Sequence, residues 1–595
     1  MTYISPREAV GEPALYEVAS CGGGPVGLAL AYLLGRENLR VVLFEKRCHT
    51  TLLPKGQFVH ASTAELYRQW GVWDLLDGSG WSIDASNGQG YYVRVALGPV
   101  AEVRQSSGTE REYVEKWQEL SPVYPRKIPA SDYEAALYRQ AAGWNSVSLR
   151  FGHEAVEATD AGEAVHLSVR GASGEEYAAS ARYLVACDGA RSFVRSQLGR
   201  GEDHGPTFGN QILTEFEADL DASLGQDGFF HSFVLDPRYA GWFGSQHPET
   251  GYWRYSFRHD EEQLPDPEVV LARIRGALGM PDLRLKVVKT WRFDYTTGLL
   301  RSWREGRVFF AGDAAHWHSP WGGYGANIGV QDANNLAWKL ALVIRRQASS
   351  KLLDTYEAER KPKAELAIKA ATYNSLNFQA LIAATLVGEP EASRSGKLSP
   401  RAVAFLREGV ERHGANSVLH TGFQFGTTYD SSAVIRDGAI APPSTLSDYK
   451  ESTVPGVRAP HVWLKDRAGR IRSTVDLWGA GFVLLIQHET WKWSEAVVAV
   501  VRETGIAMRL ITFGSGGEYL AEEPRFSRLY ALDHGNALLV RPDGFVGRRL
   551  RLPVAGQSST TDATALLRVT IRNVLCVDDR YLTLTDADAV ESSEG

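Results

Sequence analysis

Cys21-Gly22-Gly23-Gly24-Pro25-Val26-Gly27 follows a strand-like run that begins at Tyr16 and leads into the helix-compatible residues 28–34, after which residues 40–44 return to a strand pattern. Strand, glycine turn, helix and second strand make a βαβ unit, and in that setting the G-x-G-x-x-G spacing has a physical reason. Gly22 permits the tight turn, Gly24 lets backbone amides approach a pyrophosphate, and Gly27 lets the helix pack on the strand. Pro25 and Val26 begin the helix, whose N-terminus favours negative charge. Glu45 stands 18 residues beyond Gly27 at the end of the next strand, close to the spacing of a carboxylate that accepts hydrogen bonds from an adenosine ribose. Lys46 beside it is a further candidate contact. The fingerprint predicts an α/β dinucleotide-binding unit without saying which dinucleotide.

The chain around this unit has 595 residues, too many for one hydrophobic core. Apolar residues make up 44% and charged residues 23%, the composition of a folded, water-soluble protein. A net charge of −7, with Lys and Arg scattered along the chain, argues against nucleic acid or a membrane surface as partner and for small molecules. Residues 1–10 lack the apolar run of a signal peptide and no stretch approaches 18 uninterrupted apolar residues, so a cytoplasmic protein is expected. Cys21, Cys48, Cys187 and Cys576 form no CxxC pair, which speaks against a zinc site or a redox dithiol. Sixteen Trp, 24 Tyr and 22 Phe supply material for a pocket that takes flat apolar ligands, although core packing accounts for most of them.

Two further strand-like runs end on acidic residues: residues 183–186 before Asp188-Gly189, and residues 308–311 before Gly312-Asp313. Between them, residues 211–253 and 285–293 alternate as antiparallel strands do, with Trp242, Phe243, Trp253, Tyr255 and Phe257 among polar residues. A helical pattern starts at Gln331 and passes through Leu336, Leu340 and Val343; another starts near Leu353 and continues beyond Pro362. Residues 386–448 read as a connector with short helices, and residues 455–586 carry strand and helix signals of their own, including 481–486 and 537–540.

Cys187-Asp188-Gly189-Ala190-Arg191-Ser192-Phe193-Val194-Arg195 resembles the second motif of the single-component FAD-dependent aromatic hydroxylases, the para-hydroxybenzoate hydroxylase and phenol hydroxylase superfamily. Gly312-Asp313-Ala314-Ala315-His316 and its continuation through His318-Ser319-Pro320-Trp321-Gly322-Gly323-Tyr324-Gly325-Ala326-Asn327 to Gln331-Asp332-Ala333 is similar to the family's third motif almost position by position. Residues 455–461, 476–479 and 540–546 resemble the thioredoxin-like domain appended in the phenol and polyketide hydroxylase branches, for which a structural or oligomerisation role is the conservative reading. The resemblance implies a mixed α/β and α+β protein: a Rossmann-like FAD-binding domain with an inserted substrate-binding β-sheet domain and a C-terminal thioredoxin-like domain. It divides the chain into FAD-binding residues 1–200 (with a substrate-region piece near 81–114), the substrate sheet at 201–300, the FAD-binding domain continued with helices at 301–395, a connector at 396–454 and the thioredoxin-like domain at 455–595.

By the same resemblance, Asp188 lies near the FAD pyrophosphate, Asp313 after Gly312 binds the ribityl hydroxyls, and Pro320 with Gly323, Gly325, Ala326 and Asn327 sits against the isoalloxazine. A glycine loop and a helix start there would stabilise negative charge on the reduced flavin. The implied reaction is hydroxylation of a phenolic or other electron-rich aromatic small molecule, with natural-product biosynthesis as one setting, using NADPH or NADH and O2 as co-substrates, through a flavin C4a-hydroperoxide. A homodimer is the family expectation. Within the sheet, His231, Tyr255 and Tyr295 are candidates to assist catalysis, with Trp242 and Pro320 in the substrate pocket. His316 and His318 are spaced as two ligands of an ion could be, but their place inside the flavin motif argues against a metal. Four positions depart from the family pattern: Ala130 replaces a flavin-contacting Gln, Lys55 follows Pro54 where Arg is usual, and Ala61-Ser62 replaces Gln-Arg. Two other readings stay open: Baeyer–Villiger, epoxidation or oxidative rearrangement chemistry on a polyketide, and a flavin- or ligand-binding protein without turnover.

Overall fold

The computed structural model describes residues 15–52, 58–80, 88–104, 110–199, 201–220, 231–247, 251–386, 398–418, 420–488, 492–521, 524–532, 535–552 and 560–577. Leu15–Cys21 pairs in parallel with Val41–Glu45 on one side and with Glu176–Ala186 on the other. Val308–Phe310 and Val147–Phe151 extend this sheet outward, also in parallel. Val41–Glu45 is buried along its whole length, as a parallel strand covered on both faces must be, which is why its sequence is a continuous apolar run up to Glu45. The helix Pro25–Arg36 is buried from Val26 to Gly35, so it lies inside the domain with no polar face. The three motifs therefore sit at the C-terminal ends of neighbouring parallel strands, where open α/β sheets bind ligands.

A second, seven-stranded sheet runs in the order Leu285–Tyr295, Phe208–Ala218, Tyr252–Arg258, Gly241–His247, His231–Val234, Gly88–Tyr92, Ala101–Arg104. Its pairings are antiparallel except that between His231–Val234 and Gly88–Tyr92. Ile212 pairs with Phe257, Thr214 with Tyr255 and Phe216 with Trp253 on one face, and Val270 and Ile274 of the helix Pro267–Leu278 join that core. Gln211 pairs with Arg258, Leu213 with Ser256 and Glu215 with Arg254 on the other. Period-2 alternation thus sets an apolar core against a more polar face.

Phe482–Gln487 is the centre of a third sheet, parallel to Met508–Phe513 and antiparallel to Ala537–Val540, which pairs with Val546–Leu550. The helices Lys492–Thr504 and Thr560–Val574 pack together on one face, and Phe526 and Tyr530 of Pro524–Tyr530 cover the other. This is the thioredoxin-like order of strands and helices. Its core is shared with Trp338 and Leu342 of the helix Tyr324–Ile344 and with Leu352 beyond it, so the C-terminal unit is packed onto that helix.

Two elements differ from the sequence reading. The helix expected from Gln331 starts at Tyr324 and runs to Ile344, because Gly323 takes a left-handed conformation (φ 65°) as its N-cap and the small and polar residues Gly325, Ala326 and Asn327 of the first turn hide the helical period. The expected connector holds the 19-residue helix Pro400–Val418, whose Ala402, Leu406 and Val410 are buried at helical spacing, the last two against Leu381 and the sheet. The helix Thr355–Leu386 does continue through Pro362.

Candidate active site

The glycine turn is shaped by its neighbours. Gly22 has φ 108°, and a Cβ there would stand 2.3 Å from the Cys187 carbonyl oxygen; a Cβ on Gly27 would stand 2.0 Å from the Gly22 oxygen. At Gly24 a Cβ would meet nothing within 4 Å. The first and third glycines are thus required by packing, whereas the second faces open space at the N-terminus of Pro25–Arg36. Glu45 is buried and accepts hydrogen bonds from Gly23 N (2.6 Å) and from Arg47 N and Nε (2.9 Å each). Burial alone would raise its carboxyl, but these bonds and the Arg47 charge hold it below the usual range. Lys46 is exposed and lies off the cavity wall, while Arg47 lines it.

At the second motif, Asp188 accepts a hydrogen bond from Val194 N (3.1 Å), and its carboxyl is pushed up by burial. Cys187 and Gly189 on either side line the cavity; Asp188 helps Ser192, the N-cap whose Oγ accepts from Arg195 N (3.1 Å), hold the start of the short helix Phe193–Gln197. At the third motif, Gly312 has φ 59° and its N–H donates to Asp332 Oδ2 (3.1 Å). Asp313 is exposed between buried Gly312 and Ala314 and lines the cavity, as do Pro320, Gly323, Gly325 and Ala326. Asn327 instead ties residues 58–60 to the loop. Its Oδ1 accepts from His60 N (2.9 Å), and its Nδ2 donates to Phe58 O and Gly323 O (2.7 Å each). His60 Nε2 lies 3.1 Å from the Gly322 oxygen, and burial, with His420 nearby, pushes its ring well below the usual histidine range; the neutral ring donates to that carbonyl.

Gly24, Arg47, Gly189, Asp313 and residues 320–326 open into one cavity of about 870 Å³, with Glu45, Asp188, Asn327 and His60 behind its wall. From the seven-stranded sheet come Gln211, Trp242, Arg254, Ser256 and Tyr295, and from Thr355–Leu386 come Ser375, Phe378 and Gln379. Tyr255 does not reach it. Being one residue from Arg254 and Ser256, its side chain points to the opposite face, where it is buried and its hydroxyl donates to the Tyr239 carbonyl. His231 pairs with Gly244, and its side chain lies outside what the structure describes. Arg254 is held by Glu215, with Nε and Nη2 donating to Oε1 at 3.0 and 2.5 Å. Phe233, Trp321 and Phe378 form an aromatic cluster on the wall, with ring centroids 4.8 Å (Trp321–Phe378), 4.9 Å (Phe233–Phe378) and 5.1 Å (Phe233–Trp321) apart. Alternation could have nominated Arg254 once register was known; Phe378, sixteen residues beyond Pro362, carries no local signal.

The two histidines of the third motif separate. His316 Nε2 bonds Asp332 Oδ2 (2.8 Å) in the interior, while His318 lies on the cavity wall with Nδ1 2.7 Å from Ser319 O. His318 Nε2 is buried without a hydrogen-bond partner among the described residues. Among those residues no group of three His, Cys, Asp or Glu is placed to hold a metal, and no helix is long and apolar enough to cross a membrane. Ala130 lines the cavity where the family Gln was expected; Pro54 and Lys55 lie outside the described residues, and Ser62 accepts a hydrogen bond from Gln331 Nε2 (3.0 Å). The open space at Gly24, a helix N-terminus at each end, an exposed carboxylate at Asp313 and an unpartnered His318 nitrogen suit a ligand with a pyrophosphate, hydroxyls and a polar ring, as FAD has.

Known proteins point the same way. The FAD binding domain family matches residues 16–371, and the aromatic-ring hydroxylase C-terminal family matches residues 452–570. The chain is 31% identical over 579 residues to the tetracenomycin A2 monooxygenase-dioxygenase of Streptomyces glaucescens, covering 93% of this chain and 96% of that protein. It is 28% identical over 569 residues to the phenol 2-monooxygenase of Pseudomonas sp. (strain EST1001), covering 91% and 90%. The solved ternary complex of aklavinone-11 hydroxylase with FAD and aklavinone superimposes with a TM-score of 0.78 at 29% identity, over 94% of this chain and 99% of that one. The chain belongs to the FAD-dependent aromatic-ring hydroxylases, with FAD as its cofactor.

Proposed function

We propose that this hydroxylase acts on a phenolic, extended aromatic molecule, using NADPH or NADH and O2, in the cavity between the glycine loops and the seven-stranded sheet. The observation that carries the reading is the continuity of that cavity: Gly24, Asp313 and residues 320–326 share it with Trp242, Arg254 and Tyr295. Its volume of about 870 Å³ lies at the upper end of the range for small-molecule sites, in keeping with a cofactor ring and a sizeable substrate together.

In this reading Gly24 and the helix start behind it take the pyrophosphate, Asp313 accepts from the ribityl hydroxyls, and the Pro320–Ala326 backbone faces the isoalloxazine. When bound, FAD supplies the redox and oxygen-transfer chemistry. The chain's own residues orient the partners and keep water out. Trp242, Trp321 and Phe378 offer flat apolar surface to an aromatic ring system. Arg254, fixed by Glu215, presents a cation to an oxygen of the substrate and favours its phenolate, and an ionised phenol is a more electron-rich ring. Tyr295, also on this wall, has its hydroxyl pushed up by burial, so it stays protonated and, with Ser256 beside it, gives the wall a neutral polar edge next to Arg254.

The test is NAD(P)H oxidation by the FAD-loaded protein against a panel from single-ring phenols to polycyclic phenols. Stimulation that grows with ring number, coupled to a hydroxylated product, is expected. Consumption stimulated only by single-ring phenols contradicts the extended-substrate reading, and no stimulation by any phenol favours the binding-protein alternative.

A further inference from the structure

The C-terminal unit reaches the flavin loop through buried charge. Arg541 and Asp543 lie in the turn between Ala537–Val540 and Val546–Leu550, where Arg541 N donates to Phe545 O (2.8 Å) and Gly544 N to Arg541 O (3.0 Å). Arg541 is fully buried, and its Nη1 and Nη2 donate to Glu359 Oε1 and Oε2 at 2.6 and 2.8 Å, while Nε and Nη2 hold Asp543 at 3.1 and 2.5 Å. Glu359 also accepts from Lys339 Nζ and Asn335 Nδ2 (2.7 Å each) and from Ser431 Oγ (2.6 Å). Asp543 Oδ2 accepts from Asn335 Nδ2 (3.2 Å) and Trp338 Nε1 (3.3 Å) of the helix Tyr324–Ile344. Two cations and two carboxylates close a neutral set, which is the condition for burying such charges.

Arg360, which follows Glu359 on the helix Thr355–Leu386, carries the connection onward. Arg360 Nε donates to Asp332 Oδ1 (2.8 Å) and Nη2 to Ile328 O (3.1 Å), and its Nη1 donates to Tyr429, which stacks on Phe545 at 3.8 Å. The other oxygen of Asp332 fixes Gly312 N and His316 Nε2, the two sides of the turn that bears Asp313.

We infer that Arg541 is a positioning residue for FAD: through Glu359, Arg360 and Asp332 the C-terminal turn sets the geometry of the Gly312–Asp313 turn in the other unit. The appended domain, which has no dithiol, then serves cofactor retention. A buried network of this kind transmits because its members have no water to fall back on when one moves. The inference rests on the proposed placement of FAD against Asp313.

The experiment titrates FAD into full-length apoprotein, following flavin fluorescence and the visible circular dichroism of the bound flavin. Arg541→Lys keeps the charge but loses the two-pronged grip, and is expected to weaken FAD about tenfold and to alter the flavin dichroism. Leu485→Ala, a fully buried core position of the same unit away from the turn, is expected to lower thermal stability while leaving FAD affinity within about twofold. Arg541→Lys and Asp332→Asn together are expected to fall short of the product of their separate effects, since both break one relay. Wild-type affinity in Arg541→Lys, equal FAD loss in Leu485→Ala, or strictly multiplicative effects in the double variant would each overturn the relay. Asp313→Ala is titrated alongside: unchanged affinity there overturns the placement of FAD, whatever Arg541 does.

Discussion

The two walls of the cavity are built on different terms. On the cofactor side much of the surface is backbone: Gly24, Gly323, Gly325 and Ala326 face the space beside the Asp313 and His318 side chains, and Glu45, Asn327, Asp332 and His60 work from behind by holding backbone N–H and C=O groups. On the sheet side the surface is side chain: Trp242, Arg254, Ser256 and Tyr295 project from strands whose neighbours point the other way. A backbone wall tolerates few substitutions and suits a cofactor that does not change. A side-chain wall can be recut for a new substrate without disturbing the fold.

The sharpest way to break this contrast is at the glycines. Gly22→Ala puts a Cβ 2.3 Å from a carbonyl oxygen at a positive φ, and FAD affinity should fall by at least about 100-fold with a loss of stability. Gly24→Ala meets no protein atom within 4 Å, so apoprotein stability should stay within about 0.5 kcal/mol while FAD binding still weakens about tenfold. Thermal melts of the apoproteins beside FAD titrations separate the two; equal behaviour would mean that Gly24 is not kept for a ligand.

On the sheet wall the expected effect is smaller and of another kind. Arg254→Lys should raise KM about tenfold with FAD affinity unchanged, a split read from steady-state kinetics and the same titration. A loss of FAD with no change in KM would place Arg254 on the cofactor side.

Acid should loosen the backbone wall. His60, which donates to Gly322 O, is held neutral by burial, with a folded pKa well below its ordinary value. The unfolded chain therefore takes up a proton that the folded chain refuses once pH falls below about 6.5, so this contribution to stability is complete above that pH and lost below it, roughly 1 kcal/mol by pH 5.5. Chemical denaturation between pH 7.5 and 5.5 should show that slope, and His60→Gln should make it shallower, leaving the part due to His318 and His461, whose rings burial also holds below the ordinary range. Smallest of all, Tyr255→Phe should cost about 0.5–1 kcal/mol through its bond to Tyr239 O and leave kcat and KM alone.

The same contrast explains what could be read from the sequence. A turn that only glycine can make leaves a spaced mark in the chain, so Gly22, Gly24, Gly27, Gly312 and Asp313 were visible with their strands and, for the first three, their helix. The start of the helix at Tyr324 was not, because Gly325, Ala326 and Asn327 in its first turn make no apolar stripe. On the sheet, alternation announced the strands but not which face is which: that depends on register with Phe208–Ala218 and on the helix Pro267–Leu278 covering one side. Tyr255 and Arg254 are adjacent, and only the fold tells them apart. The Arg541–Glu359–Lys339–Asp543 cluster joins positions up to 204 residues apart and had no local signature.

The central claim is that FAD and an aromatic substrate meet in this one cavity, and turnover under isotopically labelled dioxygen tests it most directly. FAD-loaded protein with NAD(P)H and a polycyclic phenol should yield a product carrying one labelled oxygen atom, and Arg254→Lys should need more substrate to do so. Nicotinamide consumed with no label in any product, at saturating phenol and with FAD shown to be bound, would contradict it.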